Sequence, residues 1–231
     1  MSYNPTLGRW IGRDPAGYVD GLNLYQYVRD DPIGLTDPMG LDAAKPPTFK
    51  GFEDNRFQEH DDLIARVVDD FNRNREKYCG CTDKQKEKVS DLDPALVKSW
   101  IIQETGGSDK RSLAAWEKDP AQVNVPGDWD PNKADVGLKK PTARNEGDLE
   151  ANLKAALSWL CRKGFGKSGA PARNRPDGFF DSWEDALKRY NGRGETTDNG
   201  NPYRDNYADQ ITKRAGDPGN HFPIELPKPR K

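Results

Sequence analysis

The apolar residues of this 231-residue chain cluster at helical spacing in five stretches between about residues 59 and 212. That spacing constrains the fold more than any bulk property. Ile64, Val67, Val68 and Phe71 recur at i, i+3, i+4 and i+7 and predict a helix over about 59–77. Asp93-Pro94 supplies an N-cap followed by proline at the first helical position, and Gly106-Gly107 stops the helix it opens. Leu149, Leu153, Ala156, Leu157 and Leu160 mark a third helix, ended by Gly164. Trp183, Ala186, Leu187 and Tyr190 mark a fourth, with Ser182 as its cap and Asn191-Gly192 at its C-terminal end. Tyr203, Tyr207 and Ile211 mark a fifth, stopped by Gly216. Between the second and third lies a stretch of about forty residues; a connection that long in a compact domain builds a site unless it hides short strands. The expected class is therefore mainly α (α+β), with a long cleft-forming loop or small β element.

Only 33% of residues are hydrophobic and mean hydropathy is −1.01, which leans toward weak packing. Six Trp, eight Tyr and eight Phe argue the other way, because disordered chains are poor in aromatics. The apolar residues sit in the helices, so a packed domain is expected over 58–215. Lys and Arg number 36 against 38 Asp and Glu, for a net charge of −2. That balance lacks the basic footprint of a nucleic-acid binder. No apolar run approaches the ~18 residues of a membrane span. The N-terminus has no basic segment followed by an apolar one, so no signal peptide of its own is expected. Two histidines, His60 and His221, argue against a His-rich metal site or an HNH-type nuclease, and no cofactor is called for.

Residues 1–41 are unlike the rest. They hold four of the eight tyrosines and six glycines, and read as turns and short strands. Asn23-Leu24-Tyr25-Gln26-Tyr27-Val28 alternates between turn signals, as a strand does. Residues 42–57, with Ala43-Ala44-Lys45-Pro46-Pro47, read as a linker, and 216–231 as a Pro/Lys-rich tail. The run YNPTLGRWIGRDPAGYVDGLNLYQYVRDDPIGLTDPMGL resembles the closing segment of the core domain of Rhs (YD-repeat) proteins. In that family the core forms a shell around a variable C-terminal toxin, and the chain is cut after the Leu of Asp-Pro-x-Gly-Leu. The resemblance implies self-cleavage carboxylates at Asp14 and Asp37 and a cut after Leu41. The alternative is that both are turn aspartates. It also implies an effector carried by an Rhs shell and a type VI secretion apparatus, with a cognate immunity protein.

Glu104 sits in an odd place. At 100° per residue Val97, Ile101 and Glu104 share one face, with Trp100 beside them. The carboxylate thus extends an apolar stripe and lies in the last turn, where the macrodipole is negative. Both effects raise its pKa, toward what a general acid needs near pH 7. The alternative is a glutamate that snorkels at the core edge or pairs with a Lys or Arg.

The segment LDPALVKSWIIQETGG resembles the catalytic helix of lysozyme-like lytic transglycosylases. AQVNVPGDW is similar to the family's cleft-lining stretch at Gln122 and Asn124, although its usual Gly and Met are absent. Asn152 begins a run similar to the helix packed near the family's active site. Ala186 through Gly192 resembles a motif whose Tyr, here Tyr190, hydrogen-bonds the catalytic Glu. The resemblance implies that Glu104 protonates the oxygen bridging MurNAc and GlcNAc. It then activates the C6 hydroxyl to close a 1,6-anhydro ring. Tyr190 would orient Glu104, and Thr105, Gln122, Asn124, Asn152 and Asn191 would support the substrate side. Trp116 and Trp129 are candidates to stack on sugar rings, with loop anchoring the alternative. The implied partner is peptidoglycan in the target-cell periplasm.

Other readings stay open. A muramidase needs a second carboxylate, for which Asp109, Glu117, Asp119, Asp128 and Asp130 are equal candidates. A glycan-binding module without catalysis, or an unrelated Rhs toxin such as a nuclease, are the others. Of the three cysteines, Cys79 and Cys81 are too close to bridge each other. One of them bridges to Cys161, or all three are free thiols.

Overall fold

Asp93 opens the helix around which the domain is arranged. Its carboxylate accepts the Ala95 N–H at 2.8 Å, and Pro94 occupies the first turn, where its missing N–H is not needed. The computed structural model describes residues 58–81, 85, 87–165, 180–196 and 200–216, together with 3–4, 6 and 9–10. Asp14, Asp37, Leu41, the linker and residues 217–231 of the tail lie outside the described residues.

Seven α-helices are described: α1 (Asp61–Arg73), α2 (Arg75–Cys79), α3 (Pro94–Thr105), α4 (Lys110–Trp116), α5 (Leu149–Gly164), α6 (Trp183–Asn191) and α7 (Tyr203–Gly216). Near the N-terminus, β1 (Tyr3–Asn4) pairs antiparallel with β2 (Arg9–Trp10), setting Tyr3 opposite Trp10. The fold is mainly α, as expected. The long connection between α3 and α5 contains α4 and two 3-10 turns, Pro126–Asp128 and Pro131–Val136, rather than a β element.

The helix expected over 59–77 breaks at Asn74. Its side-chain amide donates to Asp70 O at 3.1 Å and to Asp70 Oδ1 at 2.8 Å, a local alternative to the helical ladder. The apolar face behaves as read: Ile64, Val67, Val68 and Phe71 are all buried.

Helix α3 is buried on almost every side, through Val97, Lys98, Ser99, Trp100, Ile101 and Ile102. Its polar members are matched. Lys98 Nζ meets Asp61 Oδ1 at 2.6 Å, and the Ser99 hydroxyl donates to Ile211 O at 2.7 Å. Arg214 donates to Ser99 O at 2.9 Å, which fastens α7 to α3. Helices α5, α6 and α7 follow one another in contact, and α7 closes back on α3. Gly164 lets Phe180 pack directly on the end of α5, where a Cβ would collide with its ring. A disulfide joins Cys79 of α2 to Cys161 of α5, with Cα atoms 5.4 Å apart, and Cys81 remains a half-buried thiol. No described helix is long and apolar enough to cross a membrane.

Candidate active site

Glu104 reaches the cleft because α3 ends there, at Thr105, against the start of a turn. It is half-buried, and its Oε1 accepts a hydrogen bond from the Tyr207 hydroxyl of α7. The Tyr207 oxygen in turn accepts from Trp100 Nε1–H at 2.9 Å. Burial pushes the Glu104 carboxyl up to about 7. The Tyr207 bond opposes that rise, Asp119 and Asp128 add to it, and Arg193 opposes it.

The carboxyl lines an open cavity of ≈ 270 Å³, walled by Thr105, Gln122 and the first turns of α4. Asp109, the N-cap of α4, lines the same cavity. Its Oδ1 accepts from Arg111 N–H at 2.9 Å and Ser112 N–H at 3.2 Å, and Oδ2 accepts from the Ser112 hydroxyl at 2.6 Å. These bonds hold its pKa below the ordinary carboxylate value. One cavity therefore carries two carboxyls pushed in opposite directions, the arrangement that separates an acid from a base. Of the five acids left open by the sequence, Asp109 is the one on the wall beside Glu104.

The loop behind the cavity is built around Asp119. That carboxylate is fully buried and accepts from Val123 N–H at 3.0 Å and Asn124 N–H at 2.8 Å. Burial raises its pKa against those bonds and against the nearby Lys133. Lys133, also buried, donates to Val123 O at 3.0 Å and to Asp128 O at 2.7 Å. Gln122 is held between these braces with φ 54, a left-handed conformation uncommon outside glycine. Backbone strain of this kind concentrates at functional sites.

The residues read from the sequence part into two groups. Glu104, Thr105 and Gln122 meet at the cavity. Tyr190 does not bond Glu104 as the resemblance implied. Its hydroxyl donates to Ala121 O at 2.8 Å, because α6 turns it toward the 119–125 loop, while its ring packs edge-on against Trp100. The hydroxyl on Glu104 belongs to Tyr207, a residue read from the sequence only as one of the positions that mark the fifth helix. Thr105 is on the wall, but its hydroxyl lies 2.9 Å from Ile101 O and 3.0 Å from Pro120 O and is engaged with backbone.

Asn152 is buried. Its amide nitrogen donates to Lys118 O at 2.8 Å and Glu146 O at 2.9 Å, so it braces the loops behind the site rather than facing a ligand. Asn124 donates to Glu146 O at 3.2 Å in the same brace. Asn191 ends α6, where its Oδ1 accepts from Arg193 N–H at 3.3 Å and Gly192 turns the chain at φ 67. Trp116 is buried against His60, ring centroids 4.8 Å apart, with its indole N–H on Glu59; this leaves no face for a sugar. Trp129 packs half-buried against the core. Among the described residues, no group of His, Cys, Asp and Glu is placed to hold a metal ion.

The mainly helical domain thus sets a carboxyl whose pKa burial raises to about 7 on the wall of an open cavity. Comparison with known proteins places the N-terminal region. Over 39 residues, 17% of this chain, it is 62% identical to toxin subunit YenC2 of Yersinia entomophaga and 59% identical to toxin subunit YenC1 of the same organism. It is 46% identical over 39 residues to double-stranded DNA deaminase toxin A of Burkholderia cenocepacia. The matched segment is 4% of each Yersinia protein and 3% of the deaminase toxin, so the chain spans a small fraction of their length. The chain thus carries a segment shared with toxin proteins, and that segment does not include Glu104 or the cavity. No family model matches the chain. No solved structure matches it.

Proposed function

We propose that the helical domain is an antibacterial toxin that cleaves the β-1,4 bond between MurNAc and GlcNAc in peptidoglycan, with Glu104 as the general acid. The observation that carries this reading is Glu104 itself, a carboxyl with its pKa pushed up to about 7 on the wall of an open cavity. Such a group is protonated enough to donate to a bridging oxygen and basic enough to take a proton back. The lytic transglycosylase route uses both capacities and ends in a 1,6-anhydro product. Support for a toxin role comes from the shared N-terminal segment, read as the end of an Rhs-type core. An effector of this kind acts in the target-cell periplasm and requires a cognate immunity protein in the producer.

A second outcome is hydrolysis. It is favoured by Asp109, ionised on the same wall as Glu104 and able to activate a water. Digestion of purified sacculi with mass spectrometry of the products separates the two. Anhydro-MurNAc ends are expected; reducing MurNAc ends would assign the hydrolytic route and call for a second carboxylate, for which Asp109 is the candidate on the same wall. Glu104→Gln is expected to abolish cleavage while the fold persists, and a variant with wild-type activity would refute the assignment. Export matters too: the protein is expected to lyse bacteria from the periplasm and not from the cytoplasm, whereas killing from the cytoplasm would favour a nucleic-acid-directed toxin.

A further inference from the structure

A second cavity, of ≈ 250 Å³, shares no lining residue with the one that holds Glu104. Helix α1 gives it Asp70, and α2 gives Lys77 and Tyr78. The Pro131–Val136 turn adds Asp135 and Val136, and α5 adds Lys154 and Ser158. We propose that this cavity binds a small carboxylate, a free acid or a peptide C-terminus with a short apolar side chain, between the ammonium groups of Lys77 and Lys154 and the Ser158 hydroxyl. The volume sets the size of the ligand, since it falls below the ~300 Å³ at which pockets for drug-sized molecules begin.

The acids on the wall already have partners. Asp70 Oδ1 accepts from Asn74 Nδ2 at 2.8 Å, and its Oδ2 accepts from the Tyr78 hydroxyl. Burial, together with that bond, holds the Tyr78 phenol above its ordinary pKa, so its one proton stays directed at Asp70. Asp135 Oδ2 faces Arg162 Nη1 at 3.4 Å, and Arg162 Nη2 donates to Asp135 O at 3.2 Å. Glu150, one turn before Lys154, is held by Arg66 Nη2 at 2.9 Å and by Lys154 Nζ at 2.8 Å. A ligand cation would therefore meet carboxylates that are already matched.

The donors are less committed. The Lys77 side chain makes no hydrogen bond or ion pair among the described residues. Ser158 is only 8% exposed, yet its hydroxyl has no hydrogen-bond partner among the described residues. Buried polar groups in folded proteins are matched by protein, water or ligand, and this one faces the cavity. An ammonium has three donors. Glu150 takes one from Lys154, and Asp70 lies at 3.9 Å, so Lys154 keeps a donor for the cavity. Lys154 and Ser158 are i and i+4 on α5 and share one of its faces. A carboxylate takes charge-assisted hydrogen bonds from such donors, while Val136 and the Tyr78 ring give its side chain an apolar wall. The Cys79–Cys161 bridge fixes this geometry: Cys79 follows Tyr78, and Cys161 lies one turn beyond Ser158, so α2 and its lysine are tied to the two donors of α5.

The test is an NMR titration of the full, oxidised chain with N-acetylalanine, read at the backbone amides of Lys77, Tyr78 and Ser158. N-acetylalaninamide is the uncharged control. Saturable shifts with the acid and none with the amide are expected. Lys77→Gln and Lys154→Gln are each expected to weaken binding about tenfold, and Ser158→Ala about threefold. Lys77 is exposed, so its replacement leaves the fold intact. Lys213→Gln, at an exposed position of α7 outside the cavity, is expected to leave the affinity unchanged and so separates this site from the general charge of the surface. Acetyl-Gly-Gly-Ala distinguishes the source of the carboxylate. Tighter binding than N-acetylalanine supports a peptide end, and binding of N-acetylalanine alone supports a free acid. Shifts from neither acid, equal shifts from acid and amide, or an affinity unmoved by all three substitutions in the cavity overturns the inference. The titration uses no glycan, so its outcome is independent of the cleavage reading.

Discussion

A carboxyl that titrates near neutrality inside a fold works against that fold once it ionises. Glu104 is the case here, with its pKa raised from 4.5 to about 7 chiefly by burial. Below pH 4.5 it is protonated whether folded or unfolded and costs nothing. As pH rises from 4.5 to 7 the unfolded chain ionises first, and stability falls by about 3 kcal/mol at most. Glu104→Gln cannot ionise and still offers Oε1 to Tyr207. It is expected to match the wild type in denaturant melts at pH 4 and exceed it at pH 8, by up to about 3 kcal/mol. An equal stability at both pH values would show that the burial is solvated away. Glu104 was legible in the sequence because a charged residue interrupts an apolar stripe. Which tyrosine reaches it was not. Both tyrosines reach Trp100 of α3, but α7 packs along α3 whereas α6 packs on α5 and α7, and their hydroxyls part with that arrangement.

At the scale of elements, helices with long apolar periods were readable and short ones were not. Helices α3, α5 and α6 begin at capping residues, Asp93, Asp148 and Ser182, whose side chains accept the expected backbone N–H groups. Helix α4 has seven residues and buries only Ala115 and Trp116, too few to show a period. Asp109 caps it, a residue singled out from the sequence only as one of five candidate second carboxylates. The cleft wall was therefore read as loop. The pairing of Cys161 with Cys79 rather than Cys81 also escaped the sequence, since it depends on how α2 lies along α5. That bridge closes a loop with a sequence separation of 82, worth about 4 kcal/mol on the chain-entropy account. Replacing Cys79 and Cys161 together with Ser is expected to lower stability by about that amount, and reduced wild type should melt with the double variant. Cys81→Ser should change the melt by less than about 1 kcal/mol. Reductant-insensitive melting of the wild type would count against the bridge.

At the scale of the whole molecule, the packed core among the described residues runs from Ile64 to Ile211. A chain lacking residues 1–57 is expected to melt cooperatively, within about 5 °C of the full chain by calorimetry. Loss of the transition would mean that the first piece holds part of the core. The low overall hydropathy hid this division, because it averages a Gly- and Tyr-rich segment and a Lys-rich end with helices that are apolar where they pack. The disulfide adds a topological constraint. While it is closed, residues 79–161 form a covalent ring, and the chain enters a pore of single-strand width only as a doubled strand. Passage in extended form therefore requires the open dithiol.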